Sequence, residues 1–256
     1  MLYGLYQSSV GADTQLRRLE MVANNLANAS TTAFKPDVPV FRVLPNEDIQ
    51  AGTANEMPEE LYHHAGAVTI ARSATDFSNG SILETGAAFD VALAGPGFFE
   101  VSDGENQFLT RRGSFTRSAE DELVMADSGE HILDSTGNPI ELPPGATEIQ
   151  IANDGMISAT LPGTSTPVPV AQISIVMPEQ MAALQKQGDS HYSYDGEFVD
   201  LPSETRLIQG SLEQSAVRPA MEMLTMMESS RAIEMNMNMI QQQEHTLGLL
   251  LESLSQ

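Results

Sequence analysis

The chain has 256 residues, 41% of them hydrophobic, which is long enough for one large domain or two modest ones. Its net charge of −23, with no basic patch interleaved with aromatic residues, argues against nucleic acid and anionic membranes as partners. The absence of cysteine excludes disulfides and thiolate chemistry. Because no apolar run approaches the roughly 20 residues that cross a bilayer, and the first residues lack the features of a cleaved signal peptide, we expect neither membrane insertion nor a cleaved signal.

The first predicted element is a helix within residues 1–35. Apolar and small residues recur there at alternating three- and four-residue steps, which places them in one narrow seam along a helix. The members of this seam are Leu2, Leu5, Ser9, Ala12, Leu16, Leu19, Ala23 and Leu26. Asparagines and a Ser-Thr-Thr run follow the seam, and they predict the end of the helix because their side chains offer the backbone local hydrogen bonds.

Residues 36–80 are predicted to be an extended connector that has room for one hairpin. Four prolines interrupt this stretch, and no hydrophobic period is sustained in it. Residues 81–197 are predicted to be a β-rich domain. Apolar residues alternate with others at 89–93, 149–151 and 173–175, and turn dipeptides such as Asp103-Gly104 separate the alternating stretches. These signals predict an antiparallel sheet or small barrel, and residues 198–218 are predicted to be a return connector.

The last predicted element is a helix over residues 219–256. Its heptad seam contains Met223, Met226, Ser230, Ile233, Met237, Ile240, Glu244, Leu247, Leu251 and Leu254. A second apolar face, formed by Met221, Ala232, Met235 and Met239, lies off the seam, so the helix is expected to pack against several neighbours. The predicted fold class is α+β, in which the two terminal helices pair as a coiled-coil-like layer beside a central antiparallel β-rich domain.

The search for catalytic and ligand-binding motifs is mostly negative. Gly95-Pro96-Gly97 lacks the third glycine of a dinucleotide fingerprint and is interpreted as a turn between strands. The adjacent pair His63-His64 cannot easily share a metal, because neighbouring side chains diverge on a strand or helix. We therefore expect no catalytic, cofactor or metal site and no enzymatic activity.

Residues 23–35 carry a motif that resembles the N-terminal signature of the flagellar basal-body rod and hook proteins. The matching residues are Asn24, Asn25, Leu26, Ala27, Asn28, Phe34 and Lys35. Residues 89–101, 109–115 and 210–217 resemble later parts of the same family, in the same order and spacing. One departure is Ala33, which stands where the family usually has glycine and calls into question the positive-φ turn expected there.

The resemblance implies a structural subunit of the bacterial flagellar rod that contributes to motility. It implies terminal helices in an inner layer, helical stacking with copies of itself and other rod proteins, and export through the flagellar export apparatus without a cleaved signal. The implied location is the periplasm-spanning part of the basal body. Hook proteins of the family are typically longer, and the Val217-Arg218-Pro219 segment with its Met-rich helix is most similar to the rod protein next to the distal rod. The distal-rod protein is the close alternative.

Two other classes of function stay open. A secreted β-rich binding module or adhesin would use the β domain as its working part and would function without the terminal helices. A peptidoglycan hydrolase would need an acid and a base that converge on a cleft, and no residue of the sequence stands out for either role.

Overall fold

The computed structural model of the protein describes residues 2–44, 67–146, 148–163 and 166–254. The chain divides into two compact units. The first unit contains Met1–Ala27, Pro36–Asp76 and Arg218–Gln256, and the second contains Asn28–Lys35 and Phe77–Val217. Both long helices belong to the first unit and most strands belong to the second, so the predicted α+β class is confirmed.

The first unit is built on two antiparallel helices, α1 (Leu2–Ala27) and α2 (Pro219–Leu254). Proline suits the first position of α2, because its fixed φ fits a helix and its missing N–H would have no partner inside the helix. Gly4 of α1 lies beside Gln243, and Gly11 lies beside Asn236. Later residues of α1 thus contact earlier residues of α2. The helices therefore run in opposite directions.

A two-stranded antiparallel ladder completes the first unit. It consists of β1 (Asp37–Leu44) and β2 (Ala67–Thr75), with a register shift between Val40 and Phe41 that indicates a β-bulge. The hydroxyl of Thr14 on α1 donates to the backbone oxygen of Val68, 3.0 Å away, which fixes α1 against β2. The region predicted as a connector thus contains a regular hairpin-like ladder.

The second unit consists of short antiparallel strands. They are β3 (Ile82–Glu84), β4 (Val91–Ala94), β5 (Phe98–Ser102), β6 (Gln107–Thr110), β7 (Phe115–Arg117), β8 (Leu123–Met125), β9 (His131–Ile132), β10 (Glu148–Ile151), β11 (Met156–Thr160), β12 (Val168–Gln172), β13 (Ile175–Pro178), β14 (Gln185–Gly188), β15 (His191–Ser193), β16 (Phe198–Val199), β17 (Arg206–Gln209) and β18 (Ser211–Glu213). A 3-10 turn, Met181–Ala183, precedes β14.

The largest sheet has the strand order β14-β15-β6-β5-β9-β8-β7, and β13 pairs with both β5 and β16. A three-stranded sheet has the order β10-β11-β12, and two further pairs are β17 with β4 and β18 with β3. Residues 95–97 connect β4 to β5, with Gly95 and Gly97 at φ of 110° and 130°, a backbone region that only glycine enters readily.

One large apolar core holds the second unit together. Its most deeply buried members come from many different strands and include Val91, Leu93, Phe99, Val101, Leu123, Met125, Ile132, Ile157 and Leu207. Leu207 lies on β17, within residues that the sequence analysis placed in the return connector, and it is paired with Leu93 across the β4–β17 ladder. A smaller cluster of Phe98, Leu109 and Tyr192 packs separately, with edge-to-face ring contacts.

Candidate functional site

The contact between α1 and α2 is formed by one row of residues on each helix, which we call the inner rows. All members are buried or half-buried, and they follow three- and four-residue steps. The inner row of α1 is Gly4, Ser8, Gly11, Gln15, Arg18, Val22 and Asn25, and that of α2 is Glu222, Met226, Ser229, Ile233, Asn236, Ile240, Gln243 and Leu247. Many of these residues are small or polar, so the helix pair joins through a seam that is only partly apolar.

Glycine lets the helices approach each other at two points of this seam. A Cβ added to Gly11 would lie 3.2 Å from Oδ1 of Asn236, and a Cβ added to Gly4 would lie 3.0 Å from Nε2 of Gln243. Larger side chains at these positions would push the amides away. The two glycines therefore help to set the register of the antiparallel pair.

The seam residues predicted from the sequence occupy three kinds of position. Half-buried positions are held by Leu5, Ala12, Leu19, Ala23, Leu26, Met226, Ile233, Ile240 and Leu247. Leu16, Met223 and Met237 are instead 49%, 51% and 48% exposed, so they do not lie between the helices of one chain. The side chains of Leu2, Leu251 and Leu254 lie outside the described residues. The part that the seam residues take in assembly remains a prediction.

Helix α2 exposes an unusual amount of apolar surface. Nine of its large apolar side chains are between 42% and 63% exposed. They are Met221, Met223, Leu224, Met227, Met235, Met237, Met239, Leu249 and Leu250. Large exposed apolar patches mark interaction sites, whereas single exposed apolar side chains are common on any protein surface. We call this set the outer apolar surface of α2.

Asn25, a signature residue, joins the end of α1 to the start of β1. Its side chain is 2% exposed, with Nδ2 donating to Asp37 O at 2.9 Å and Oδ1 accepting from Asp37 N at 3.0 Å. Its amide also hydrogen-bonds Glu222 on α2. Burial raises the pKa of Glu222, while the contacts with Asn25 and Arg18 oppose that rise. Asn25 therefore links three elements of the first unit, whereas the sequence pattern showed only that it belongs to the family motif.

The other signature residues divide between surface and interior. Asn24 and Ala27 are exposed and Leu26 is half-buried. Asn28 accepts a hydrogen bond from the Thr31 hydroxyl through its side chain, at 3.1 Å, in the turn that follows α1. Phe34 is 8% exposed, and Nζ of Lys186 lies 4.7 Å from the centre of its ring, within the range of a cation–π contact.

Ala33 adopts the left-handed backbone that the sequence left in doubt. Its φ is 54°, its side chain is 1% exposed, and its N–H donates to Glu213 O at 2.8 Å. A residue with a Cβ is strained in this region by about 1–2 kcal/mol relative to the right-handed one. The turn of the family is therefore kept despite the absence of glycine.

We expect Ala33→Gly to raise the free energy of unfolding by about 1 kcal/mol, because glycine relieves the Cβ strain. Urea denaturation of the intact protein measures the change. Ala92, a fully buried alanine on β4, is the matched control. Ala92→Gly is expected to lower the same free energy by about 1 kcal/mol, because glycine weakens a strand without relieving strain. Equal losses in both variants would contradict the strain assigned to Ala33.

Lys35 and Glu213 form a buried ion pair in the second unit. Lys35 is 0% exposed, and its Nζ lies 2.6 Å from Oε1 of Glu213 and donates to Ser78 O at 2.7 Å. The same Oε1 accepts the backbone N–H of Gly80 at 2.8 Å. The pair thus ties the segment after α1 to the segment before α2.

Arg111 adds a second cation to this cluster. Its Nε lies 3.5 Å from Oε2 of Glu213, and both Nη atoms donate to Gly95 O at 2.8 Å. Nη2 also donates to Asn79 Oδ1. Burial lowers the pKa of Arg111, and the charge of Glu213 opposes that change. Each charged group of the cluster therefore contacts backbone or an opposite charge, as buried charges require.

His191 is a second buried titratable group of this unit. It is 6% exposed, and its Nε2 lies 2.9 Å from Oε2 of Glu130. Burial lowers the pKa of His191, and the nearby Arg112 lowers it further, while the carboxylates of Glu130 and Asp189 oppose the change. The native state therefore binds the histidine proton less readily than the unfolded chain.

A pH dependence of stability follows from the lowered pKa of His191. As the pH falls below about 6.5, the unfolded chain takes up the proton first, so the free energy of unfolding decreases. His191→Gln removes this contribution. Urea denaturation at pH 7.5 and 5.5 should show a smaller loss of stability on acidification for the variant than for the unchanged protein. The same loss in both would contradict the assignment.

No group of three or more histidine and carboxylate side chains is placed to hold a metal ion among the described residues. The predicted pair His63-His64 lies outside those residues. In the part of the chain that the structure describes, we find no helix with the length and apolar character needed to span a membrane.

Helix α2 leaves a large amount of apolar surface exposed beside the helix pair, which is typical of proteins that assemble with other chains. Family descriptions match three parts of the chain. They are "Flagella basal body rod protein" at residues 5–35, "Flagellar hook protein FlgE/F/G D1 domain" at 92–159 and "Flagellar basal body rod FlgEFG protein C-terminal" at 208–252.

Curated relatives cover the chain from end to end. The flagellar basal-body rod protein FlgG of Buchnera aphidicola subsp. Schizaphis graminum is 32% identical over 100% of both chains. The rod protein FlgF of Caulobacter vibrioides is 31% identical over 88% of both, and FlgF of Salmonella typhimurium is 28% identical over 100% of this chain and 99% of its own. The chain belongs to the flagellar basal-body rod protein family, whose members are structural parts of the flagellum.

Proposed function

We propose that the chain is a rod subunit that polymerises helically, with its terminal helices as the polymerisation elements. It acts with copies of itself and with other rod proteins in the periplasm-spanning part of the basal body. It reaches this place through the flagellar export apparatus without a cleaved signal, and it has no catalytic role. Family membership supports the claim that the chain is a structural subunit of the rod. The structure of the first unit supports the claim that the terminal helices are the polymerisation elements.

The observation that carries this proposal is the outer apolar surface of α2. The inner rows already satisfy the contact between α1 and α2, and their members include glycine, serine and amide residues. Methionine and leucine side chains on the remaining surface stay 42–63% exposed. Neighbouring subunits would remove this apolar area from water, which favours association by roughly 25 cal/mol per Å² buried.

Met235→Glu tests the proposal most directly, because Met235 is 63% exposed and the substitution should leave the monomer folded. A carboxylate on a surface that assembly buries loses its hydration without gaining a partner. Asn238→Glu is the control, since it introduces the same charge at an exposed polar position of the same helix. Both variants are compared in a flagellated strain that lacks its own copy of the gene.

We expect Met235→Glu to abolish swimming and rod completion, and Asn238→Glu to retain both. Circular dichroism of each purified monomer verifies that helix content is unchanged. An epitope inserted at the exposed turn around Gly104 locates the unchanged subunit in purified basal bodies by electron microscopy. Normal rods in the Met235→Glu strain would contradict the proposal. So would a β unit that still performs the protein's function after both helices are removed, and that result would favour a binding module.

A further inference from the structure

Helix α2 carries half of the methionines of the chain, and most of these are exposed. The chain has no cysteine, and seven of its 14 methionines lie between Met221 and Met239. Six of these seven are between 48% and 63% exposed, namely Met221, Met223, Met227, Met235, Met237 and Met239. The seventh, Met226, belongs to the inner row and is half-buried. We call the six exposed residues the methionine set.

We infer that the methionine set is a site of reversible oxidation, and that its oxidation in the free subunit blocks assembly. The second part rests on the proposed function, because it assumes that association buries this surface. The modifying agent is a two-electron oxidant of the peroxide class. The thioether sulfur attacks the peroxide, the O–O bond breaks, one oxygen bonds to sulfur, and hydrogen peroxide is reduced to water.

The methionine set should react with peroxide first, because its side chains are exposed to solvent. Oxidation of methionine follows access of the oxidant to sulfur, and with no thiol in the chain the exposed thioethers are its most readily oxidised side chains. Met125, on β8 in the apolar core, is 1% exposed and serves as an internal reference. The methionine set and Met125 therefore differ in access while they share the same chemistry.

The consequence for assembly comes from the change in polarity. A sulfoxide carries a strong dipole, and it turns an apolar side chain into a polar one that loses water if the surface is covered. Leu224, Leu249 and Leu250 show that the same surface also accepts leucine, which does not react. Leucine at the six positions should therefore preserve apolar contacts and remove the sensitivity to oxidant.

The first experiment maps the modification and does not depend on assembly. Purified protein is exposed to hydrogen peroxide for increasing times, and digested peptides are quantified by mass spectrometry. We expect the methionine set to oxidise on the order of tenfold faster than Met125. Treatment with methionine sulfoxide reductases should restore the original mass. Equal rates for the set and for Met125 would overturn the inference.

The second experiment measures association by sedimentation velocity before and after oxidation. We expect oxidised protein to stay monomeric at concentrations where untreated protein associates, and reductase treatment to restore association. A variant with leucine at all six positions should lose its sensitivity to peroxide, so that its association, whatever its strength, is the same before and after treatment. Met235→Gln, a polar side chain of similar length at one position, gives an independent measurement that needs no oxidant and should weaken association.

Association that is unchanged after complete oxidation of the set would overturn the inference, and so would a leucine variant that associates but remains sensitive to peroxide. If the leucine variant does not fold, the Met235→Gln measurement and reductase reversal decide the question. Untreated protein that never associates would contradict the proposed function and, with it, the effect of oxidation on assembly. The first experiment would still decide whether the methionine set is the site of oxidation.

Discussion

Lys35→Met is expected to lower the free energy of unfolding of the β unit by about 3–5 kcal/mol, because it leaves the Glu213 carboxylate buried without its nearest cation. Glu213 is 2% exposed, and its remaining cation, Arg111, lies 3.5 Å away and is shared with Gly95 and Asn79. Water cannot replace the lost contact at a site this deeply buried. Urea denaturation followed by near-ultraviolet circular dichroism measures the loss.

A double variant separates the cost of an isolated charge from the value of the pair. Lys35→Met combined with Glu213→Leu should lose less stability than Lys35→Met alone, because a buried pair replaced by apolar groups leaves no uncompensated charge. Arg117→Met is the control, since its ion pair with Asp121 is half-exposed and should contribute at most about 1 kcal/mol. A loss of that small size for Lys35→Met would show that the ion pair does not hold the unit together.

The second large effect is expected from Leu16→Asp, which should block rod assembly while the monomer keeps its helix content. Leu16 is 49% exposed in the single chain, and substitutions at such positions usually change stability by no more than about 0.5 kcal/mol. In an assembled rod the same side chain would be covered, and an unpartnered carboxylate there costs several kcal/mol in each subunit. Motility and basal-body microscopy provide the functional measurement.

Ile240→Asp is compared with Leu16→Asp, because it places the same charge at a half-buried position of the helix pair. Ile240 is half-buried in the inner row of α2, so this charge should disturb the helix pair within the monomer as well as assembly. We expect lower helix content for Ile240→Asp and unchanged helix content for Leu16→Asp, with loss of motility in both. Normal rods with Leu16→Asp would remove Leu16 from the assembly seam.

The sequence predicted the two helices well, because a heptad repeat is a strong signal over several turns. The contact within the chain follows the predicted seam only in part, and the part that the seam takes in assembly stays a prediction. Apolar periodicity picks out leucine and methionine, whereas the observed contact places Gly11 against Asn236 and Gly4 against Gln243. A pattern of apolar residues shows which face avoids water, and it does not show whether the same chain or another copy covers that face.

Two features of the β unit, its last two strands and its buried ion pair, could not be predicted from the sequence pattern. Residues 206–213 are too short and too polar to read as strands, yet they form β17 and β18, and Leu207 is fully buried. Lys35 was known only as part of a family motif, since its partner Glu213 lies 178 residues away. A contact of that separation depends on how the strands between the two residues fold, which local periodicity does not encode.

That separation has a consequence for the timing of folding. Two residues so far apart in the chain meet only after a long loop has closed, and such closure slows folding because its entropic cost comes before the contact forms. A chain that emerges with its N-terminus first presents Lys35 early and Glu213 near the end, so the buried cluster cannot form until nearly all of the polypeptide is available. A chain that appears from its N-terminus onward therefore completes the β unit only when β18 (Ser211–Glu213) is available.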